Sequence, residues 1–385
     1  MTELNCPLSD IRMKPQVEPP LLTIFVPTWN RTAEMVQTIE NLAGQLHGGL
    51  ERKVEILISD NCSNATGQAA VRALADRFDT VSYMINAADQ GGHFQVYAAP
   101  WRARGVWTWV FGSDDLLEPG AIADVVRHLE VQDPGFVTMD KSIWNRDLTK
   151  RFYASTNAIP ERAFDGFIDL FKGVGLHQVV HLSVSLEKTE AGRGIDPHPY
   201  VTADTLHSYA IAFFEKHQRS KCLYIAAPHV IRRLDNVVIA DYLGATFEDM
   251  GMKFPLMLLS LARQFGVTEA MFEQVNGSRR IDSYDPPKIT LVDNIFEYTL
   301  RGVSEGRPIS FFQKPAFETL CESWRPGRRA QFDELWRISQ SMRRAIEEMN
   351  IHRERYEKRV IQIAAKRQKL HDMSRKFTDR KPNAG

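Results

Sequence analysis

The chain has 385 residues, of which 43% are hydrophobic and 25% are charged, as in an ordinary folded domain. Its 48 Lys and Arg residues balance 48 Asp and Glu residues, so net charge gives no reason to expect binding to nucleic acid. Four cysteines without metal-ligand spacing argue against a disulfide framework or a zinc site. With neither a signal peptide nor a membrane span predicted, we expect a cytoplasmic protein that can still lie at the inner face of the membrane.

Residues 1–20 are predicted to form a flexible lead-in that ends at Pro19-Pro20. From residue 21, buried-type strands alternate with amphipathic helices, which predicts a mostly parallel sheet with helices on both faces. Pro100 should cut or kink the helix that begins near residue 93. The predicted strands are 21–27, 54–60, 80–86 and 105–113, and the predicted helices are 32–46, 68–78 and 120–131.

Weaker patterns follow in the second half of the chain. They predict strands at 136–140, 177–188 and 222–234 and a helix at 203–217, so the α/β domain should span residues 21–240. A helical region should follow at 241–327. A long helix with a heptad seam is predicted at 328–380, and from Ser341 it carries 13 basic against 6 acidic residues. The seam favours a homo-oligomer, or docking back on another helix of the same chain. The basic excess allows a peripheral membrane contact, and a solvated charged face is the remaining alternative.

Polar side chains follow three of the predicted strands. Strand one is followed by Thr28-Trp29-Asn30-Arg31, strand two ends in Asp60-Asn61, and strand four ends in Ser113-Asp114-Asp115. Because ligands of open parallel sheets bind beyond the carboxyl ends of the strands, these residues predict a binding site at one edge.

The Asp114-Asp115 pair has two interpretations. Two carboxylates at the end of a buried strand suit a hard cation such as Mg²⁺ or Mn²⁺, which could also bind the oxygens of a diphosphate. Alternatively, Ser113 or an Asp caps the next helix, whose dipole favours acidic residues.

Four segments in order, TIFVPTWNR, EILISDNCSN, NAADQGG and GVWTWVFGSDDLLEPGAI, resemble the inverting family 2 glycosyltransferases with the GT-A fold. The similarity is greatest to the O-antigen and capsule branch that includes abequosyltransferase-like proteins. It is strong over about residues 21–130 and extends weakly to about residue 240. Gly112-Ser113-Asp114 occupies the place of the family's DxD motif, so Gly112 replaces the first Asp, a departure that this branch shares.

The resemblance implies a role for each matching position. The loop after strand one would hold the base and diphosphate, Asp60 would contact the base or ribose, and the glycines would lie close to the nucleotide. Asp114 would bind the metal, with Asp115 as a second carboxylate. The implied nucleotide-binding residues are Pro27, Thr28, Asn30, Arg31, Asp60, Asn61, Gly91, Gly92 and Ser113.

An inverting transferase needs a base that deprotonates the acceptor hydroxyl. Asp204, at the start of the helix predicted at 203–217, fits the family's place for this base, although it could simply cap the helix. His207 could add a metal or phosphate contact or be structural. Arg232 and Arg233 could neutralise the leaving diphosphate. Alternatively, they lie in solvent where the strand ends.

The sequence therefore predicts a metal-dependent inverting glycosyltransferase with a GT-A fold. It would use Mn²⁺ or Mg²⁺ and a nucleotide diphosphate sugar, and its acceptor would be a glycan, a lipid-linked glycan or a glycoprotein. One alternative is a catalytically inactive GT-A scaffold assembled through its coiled coil. A sugar nucleotidyltransferase is another, which the loop Pro27-Thr28-Trp29-Asn30-Arg31 disfavours because it is not rich in glycine.

Overall fold

The structure is a computed structural model that describes residues 7–156, 159–179, 181–196, 208–233, 329–345, 348–349 and 351. Residues 7–233 of this set belong to one compact unit and residues 329–351 to a second. The strands are β1 (Leu8–Arg12), β2 (Leu22–Thr28), β3 (Val54–Asp60), β4 (Val81–Asn86), β5 (Trp107–Val110), β6 (Leu116–Leu117), β7 (Phe136–Trp144), β8 (Arg151–Tyr153), β9 (Arg162–Asp165), β10 (Ser185–Lys188) and β11 (Lys221–Arg233). The helices of the first unit are α1 (Thr32–Ala43), α2 (Ala65–Arg77), α3 (Gly91–Arg102), α4 (Ala121–Gln132), α5 (Phe167–Val174), α6 (Leu176–Val179), α7 (Thr189–Arg193) and α8 (Ser208–Lys216).

One mixed sheet organises the first unit. Its strand order is β1-β4-β3-β2-β5-β10-β7-β11-β6, with β8 paired to β7 and β9 paired to β11. Strands β2, β3, β4 and β5 are parallel to one another, and β7 and β11 form a second parallel pair. Because β10 runs antiparallel to both β5 and β7, all six of these strands point the same way. Their carboxyl ends therefore lie along one edge, as the sequence predicts.

Both faces of the sheet are covered, which explains the continuous apolar runs of the central strands. On one face, Ile24 and Ile56 pack in a core with residues of α1, α2 and α4. On the other face, Phe25 and Leu57 pack against Ala99 of α3. Neighbouring residues of β2 thus point to opposite cores, and the predicted α/β fold with two helical layers is confirmed.

Three local predictions differ from the structure. Within the predicted flexible lead-in, Leu8–Arg12 forms an edge strand that pairs antiparallel with β4. Helix α3 continues two residues past Pro100, whose carbonyl accepts a hydrogen bond from Arg193 Nε at 2.7 Å. The alternating segment 177–188 forms a strand only at Ser185–Lys188, because Leu182–Val184 is a 3-10 turn that follows α6.

The described part of the C-terminal unit is helical over residues 329–345. Phe332, Leu335 and Ser339 are buried, and their spacing follows the predicted heptad seam. Apart from residues 348–349 and 351, which are also helical, the rest of the predicted long helix lies outside the described residues, as does the helical region at 241–327. No described helix combines the length and the apolar character that a bilayer crossing requires.

A buried ionic cluster ties helix α8 to the sheet. Glu187 of β10 accepts hydrogen bonds from Lys216 Nζ at 2.7 Å and from His217 Nε2 at 2.8 Å. The side chains of Lys216 and His217 are 5% and 0% exposed. Burial alone would raise the pKa of Glu187, but the two basic neighbours outweigh it and lower that pKa to about 2. The cluster holds the carboxyl end of α8 in place.

We expect Glu187→Gln to lower the free energy of unfolding by roughly 3–5 kcal/mol, because the buried ammonium of Lys216 loses its charged partner. Urea denaturation at pH 7 measures the loss. Glu130→Gln is a matched control, since the Glu130–Lys53 pair is about half exposed and should contribute less than about 1 kcal/mol. Equal losses in the two variants would contradict this account.

The same cluster sets a pH dependence. The folded-state pKa of Glu187 is lowered, so its stabilisation is present above about pH 4.5 and is lost as the pH falls towards about 2. Burial also lowers the pKa of His217 in the folded state. Below about pH 6.5 the unfolded state therefore binds a proton at this histidine more readily than the folded state, which lowers the stability of the fold. Both groups predict that unfolding free energy rises with pH over this range, and Glu187→Gln should flatten the acidic part of the curve.

Candidate functional site

The loops after β2 and β3 are joined by hydrogen bonds at the carboxyl edge. Asn30 N donates to Ser63 Oγ at 2.9 Å, and Asn64 N donates to Asn30 Oδ1 at 2.9 Å. Asn30 holds a left-handed backbone conformation with φ of 52°, which Asn tolerates better than most residues. Its side chain is therefore used in building the loop that precedes Arg31 and α1.

Asp60 lies at the end of β3 and is 0% exposed. Its Oδ1 accepts a hydrogen bond from Ser63 N at 2.8 Å. Its Oδ2 is buried, and none of the described residues donates a hydrogen bond to it. Burial accordingly raises the pKa of Asp60. A buried carboxylate oxygen without a donor is costly unless a ligand supplies one.

Asn61 is the centre of an amide network rather than a side chain directed away from the protein. Its Oδ1 accepts from Asn86 Nδ2, Gln90 N and Gln95 Nε2, each at 3.0 Å. Its Nδ2 donates to Asp89 Oδ1, which also accepts from Gly91 N at 2.8 Å. The network therefore shapes the turn that leads into α3.

Gly91 and Gly92 begin α3 on this edge and are both exposed. Gly91 has φ of +78°, a conformation that other residues rarely adopt. A Cβ at either position would meet no atom within 4 Å, so both glycines border open space. This is compatible with the predicted close approach of a nucleotide.

The two neighbouring carboxylates of the edge point in different directions. Asp115 is buried, accepts a hydrogen bond from Ser183 Oγ at 2.6 Å and lies 3.3 Å from His181 Nε2. Burial, with the charge of Asp114, raises the pKa of Asp115 to about 7. Asp114 is more exposed and accepts a hydrogen bond from Arg31 Nη1 at 2.9 Å. The pair thus divides into one internal carboxylate and one that solvent can reach.

The turn that carries this pair is supported from two sides. Thr38 Oγ1 of α1 donates to the carbonyl oxygens of Ser113 and Asp115 at 3.1 and 2.9 Å. Trp109 Nε1 donates to Ser183 O at 2.8 Å. This bond positions Ser183, whose hydroxyl donates to the carboxylate of Asp115. The buried Ser113 contributes its backbone carbonyl to this support.

Gly112 stands where the related motif has an acid, and the packing explains why. A Cβ at this position would lie 3.1 Å from Asp114 Oδ1 and 3.1 Å from Ser183 Oγ. Both distances are shorter than ordinary van der Waals contact. Gly112 N also donates to Ser183 Oγ at 2.9 Å. The absence of a side chain therefore makes room for the orientation of the two Asp residues.

The predicted arginine pair reaches the same edge through β11. Arg233 N donates to Asp115 Oδ1 at 3.3 Å, and its guanidinium donates to Gln37 of α1. Arg233 is 8% exposed, and its Nε has no hydrogen-bond partner among the described residues. Arg232 is partly exposed, and its charge favours ionised Asp115. Positive charge thus accumulates beside the carboxylates.

Asp204 and His207 lie outside the described residues. The next residue along the chain, Ser208, begins α8 and contacts α3: Tyr97 Oη donates to Ser208 Oγ at 3.0 Å, and His93 Nδ1 lies 3.3 Å from it. These contacts tie the start of α8 to the helix that begins at Gly91.

The carboxylate of Asp114 could hold a divalent cation whose other ligands come from a bound diphosphate and from water. A single accessible carboxylate together with phosphate oxygens and water is a ligand set that Mg²⁺ commonly has. Within the described ranges, no group of three His, Cys, Asp or Glu residues could hold an ion. Further metal ligands would therefore have to come from the nucleotide or from residues such as His207.

Sequence reasoning assigns no individual role to three residues that the structure places at this edge. Trp29 lies in the loop after β2 and is 51% exposed, which is unusual for an indole. Ser183 and Thr38 support the Asp114-Asp115 turn from distant parts of the chain. The position of an aromatic residue directly after a strand could have suggested Trp29 from sequence. No local signal identifies Ser183 or Thr38.

Comparison with solved structures shows the class of the fold. The structure of S. aureus TarS residues 1–349 in complex with UDP-GlcNAc superposes with a TM-score of 0.53 and 10% identity, over 84% of this chain and 92% of that one. The structure of S. aureus TarS gives a TM-score of 0.52 and 10% identity, over 83% and 55% of the two chains. At such low identity the likeness establishes a shared fold, which is the GT-A fold of nucleotide-sugar transferases.

Sequence comparison shows which family part of the chain resembles. Residues 23–180 match the model of Glycosyl transferase family 2. The abequosyltransferase RfbV of Salmonella typhimurium is 26% identical over 113 residues, which are 29% of this chain and 33% of that protein. The match thus spans about a third of the length of this curated relative. Residues 23–180 are thus similar to the family 2 glycosyltransferases.

We expect Gly112→Asp to destabilise the site, although it restores the first acid of the family motif. The added side chain would displace Asp114 or Ser183 and place a third carboxylate beside two others, at a cost of about 1–3 kcal/mol. Thermal and urea denaturation measure this cost. Gly92→Ala is the control, because a Cβ there meets no atom within 4 Å, and it should leave stability nearly unchanged. An equally stable Gly112→Asp protein would contradict the packing argument.

Proposed function

We propose that this chain is a metal-dependent inverting glycosyltransferase that transfers a sugar from a nucleotide diphosphate sugar to an acceptor hydroxyl. The observation that carries the proposal is the arrangement at one sheet edge. A buried carboxylate oxygen without a donor at Asp60 and a ligand-facing carboxylate at Asp114 lie there with Arg31 and Arg233. The UDP-GlcNAc bound to TarS and the name of the abequosyltransferase relative support a sugar nucleotide as donor.

The donor would lie along the edge from β3 to β5. Asp60 would accept a hydrogen bond from the base or ribose, and the exposed indole of Trp29 would cover an apolar face of the nucleoside. The loop after β2, with Pro27, Thr28, Asn30 and Arg31, would lie beside the diphosphate. Gly91 and Gly92 leave the space that a bound nucleotide needs.

Charge stabilisation of the leaving group would come from several groups together. Asp114 would hold Mn²⁺ or Mg²⁺, which supplies Lewis-acid stabilisation of the departing diphosphate. Arg31, Arg232 and Arg233 would contribute fixed positive charge to the same oxygens. Asp115 would act indirectly, because its hydrogen bond with Ser183 orients the turn that carries Asp114.

Asp204 would be the catalytic base, as the family resemblance implies. It would accept the proton of the acceptor hydroxyl while that oxygen forms a bond to the anomeric carbon. The bond from this carbon to the diphosphate breaks, and the diphosphate leaves with the electron pair, so the configuration inverts. Support comes from Ser208, four residues later, which α3 holds through Tyr97 and His93 near the edge.

We further propose that the acceptor is a surface polysaccharide, a lipid-linked glycan or a glycoprotein, and that the heptad seam near the C-terminus joins copies of the chain. The name of the relative, an abequosyltransferase, supports transfer of a sugar but names no acceptor, so the acceptor class rests on the family resemblance. The heptad spacing of the C-terminal helix supports the joined seam. The basic excess of that helix would suit a peripheral contact with the inner face of the membrane.

Thermal unfolding with a panel of nucleoside diphosphates, each with and without Mn²⁺, tests the donor site. One nucleotide should raise the unfolding temperature, more so with Mn²⁺, because ligands that bind the native state stabilise it. Asp114→Asn should remove the metal-dependent part. Asp133→Asn is the matched control, since Asp133 is an exposed acid that follows α4 and pairs with Lys188. If no nucleotide shifts the transition, the proposed donor site is wrong.

Asp204→Asn separates binding from chemistry. It should leave the nucleotide-dependent shift intact and reduce sugar transfer by roughly 10²–10⁴-fold, the usual contribution of a general base. Transfer is measured with the sugar nucleotide whose diphosphate stabilises the protein, and the anomeric configuration of the product is read by NMR. A retained configuration would contradict single displacement, and binding without any transfer would favour the inactive scaffold.

A further inference from the structure

We propose that Arg31 is an internal counter-ion of Asp114 and that it leaves this carboxylate only when a divalent cation and a diphosphate bind together. The inference rests on the proposed function and adds a coupling between the two ligands. It predicts that the cation alone binds weakly, that the diphosphate alone binds weakly, and that each strengthens the binding of the other.

The ion pair has the geometry of a stable but displaceable contact. Arg31 Nη1 lies 2.9 Å from Asp114 Oδ2, and the two side chains are 26% and 18% exposed. A charge-assisted hydrogen bond of this length is strong, yet a ligand from solvent can reach both groups. The guanidinium therefore stands where a cation bound by Asp114 would have to approach.

The backbone around Arg31 is held, so the exchange involves the side chain. Arg31 precedes α1, and its carbonyl accepts a hydrogen bond from Met35 N at 2.9 Å. The preceding Asn30 is bound to Ser63 and Asn64. A long, flexible arginine side chain on such a fixed base can turn from one acceptor to another without moving the loop.

Asp115 offers no second position for the cation in the conformation described. It is buried, and its oxygens accept hydrogen bonds from Ser183 Oγ and Arg233 N. A cation that binds at this turn therefore depends on Asp114, and it competes with Arg31 for the same carboxylate. The repulsion between a divalent cation and the nearby guanidinium adds to this competition.

The ion pair between Arg31 and Asp114 is best replaced when both ligands are present. A cation alone would have to displace Arg31 and leave it facing a like charge. A diphosphate alone would have to draw Arg31 away and leave Asp114 opposite another anion. With both, Asp114 would hold the cation and Arg31 would bind the diphosphate oxygens, which its planar fork suits. Such coupling between two binding equilibria is reciprocal.

The test measures Mn²⁺ binding from the electron paramagnetic resonance signal of the free ion. Inorganic pyrophosphate is the probe for the diphosphate, because it needs no knowledge of the base. Titrations of pyrophosphate with Mn²⁺ in the absence of protein correct for complexes in solution. The proteins compared are the wild-type chain and its Arg31→Gln, Arg31→Lys and Arg77→Gln variants.

Wild-type protein should bind Mn²⁺ at least about tenfold more tightly when pyrophosphate is present. Arg31→Gln should bind Mn²⁺ alone about fivefold more tightly than wild type, since it removes the competing pair. In this variant, pyrophosphate should also raise the affinity for Mn²⁺ much less than it does in the wild-type protein. Arg31→Lys keeps the charge and should keep the affinity for Mn²⁺ alone low.

Arg77→Gln is the matched control. It removes one positive charge from another Arg–carboxylate pair, Arg77 with Glu40, at the end of α2 and outside the candidate site. It should behave like wild type, which separates the local contact from net charge. Circular dichroism melts show whether the variants remain folded at the temperature of the titrations.

Two results would overturn the inference. One is an Arg31→Gln protein that binds Mn²⁺ alone no more tightly than wild type. The other is a gain from pyrophosphate that does not depend on Arg31. Either result can occur while the wild-type protein still transfers sugar from its donor, in which case the coupling is wrong and the proposed function stands. Loss of nucleotide binding in wild-type protein would instead refute the proposed function.

Discussion

Two neighbouring carboxylates at the end of one strand repel each other, and the way in which the protein separates them determines the geometry of the candidate site. Asp115 turns inward to Ser183, and Asp114 turns outward to Arg31. The inward position is costly for a charge, as the raised pKa of Asp115 shows. The absence of a side chain at Gly112 makes both orientations possible.

The partners of this pair come from separate parts of the chain. Ser183 precedes β10, Thr38 belongs to α1, and Arg233 ends β11. The strand order brings these elements together, since β10 lies beside β5 and β6 lies beside β11. The site therefore depends on the whole sheet. A change that displaces β10 would move Ser183 and with it the turn that carries Asp114.

Helix α8 connects the sheet to the segment that carries Asp204. Its carboxyl end is held by the buried Glu187 cluster, and its amino end is bound by His93 and Tyr97. Because α3 begins at Gly91 on the carboxyl edge of the sheet, one helix relates the proposed donor site to the start of α8. This arrangement gives a physical reason for placing the proposed base near the donor.

The fold and the edge of the site were predictable from sequence, because they depend on local patterns. Continuous apolar runs indicate strands covered on both faces, and parallel strands bring Asp60 and Asp114 to one edge. Tertiary packing decided that Asp115 turns inward while Asp114 stays accessible, that Asn61 lies inside an amide network, and that Ser183 supports the pair. These features depend on contacts between residues that lie 25 to 118 positions apart. No local pattern encodes such contacts, since they exist only after the strands have taken their order in the sheet.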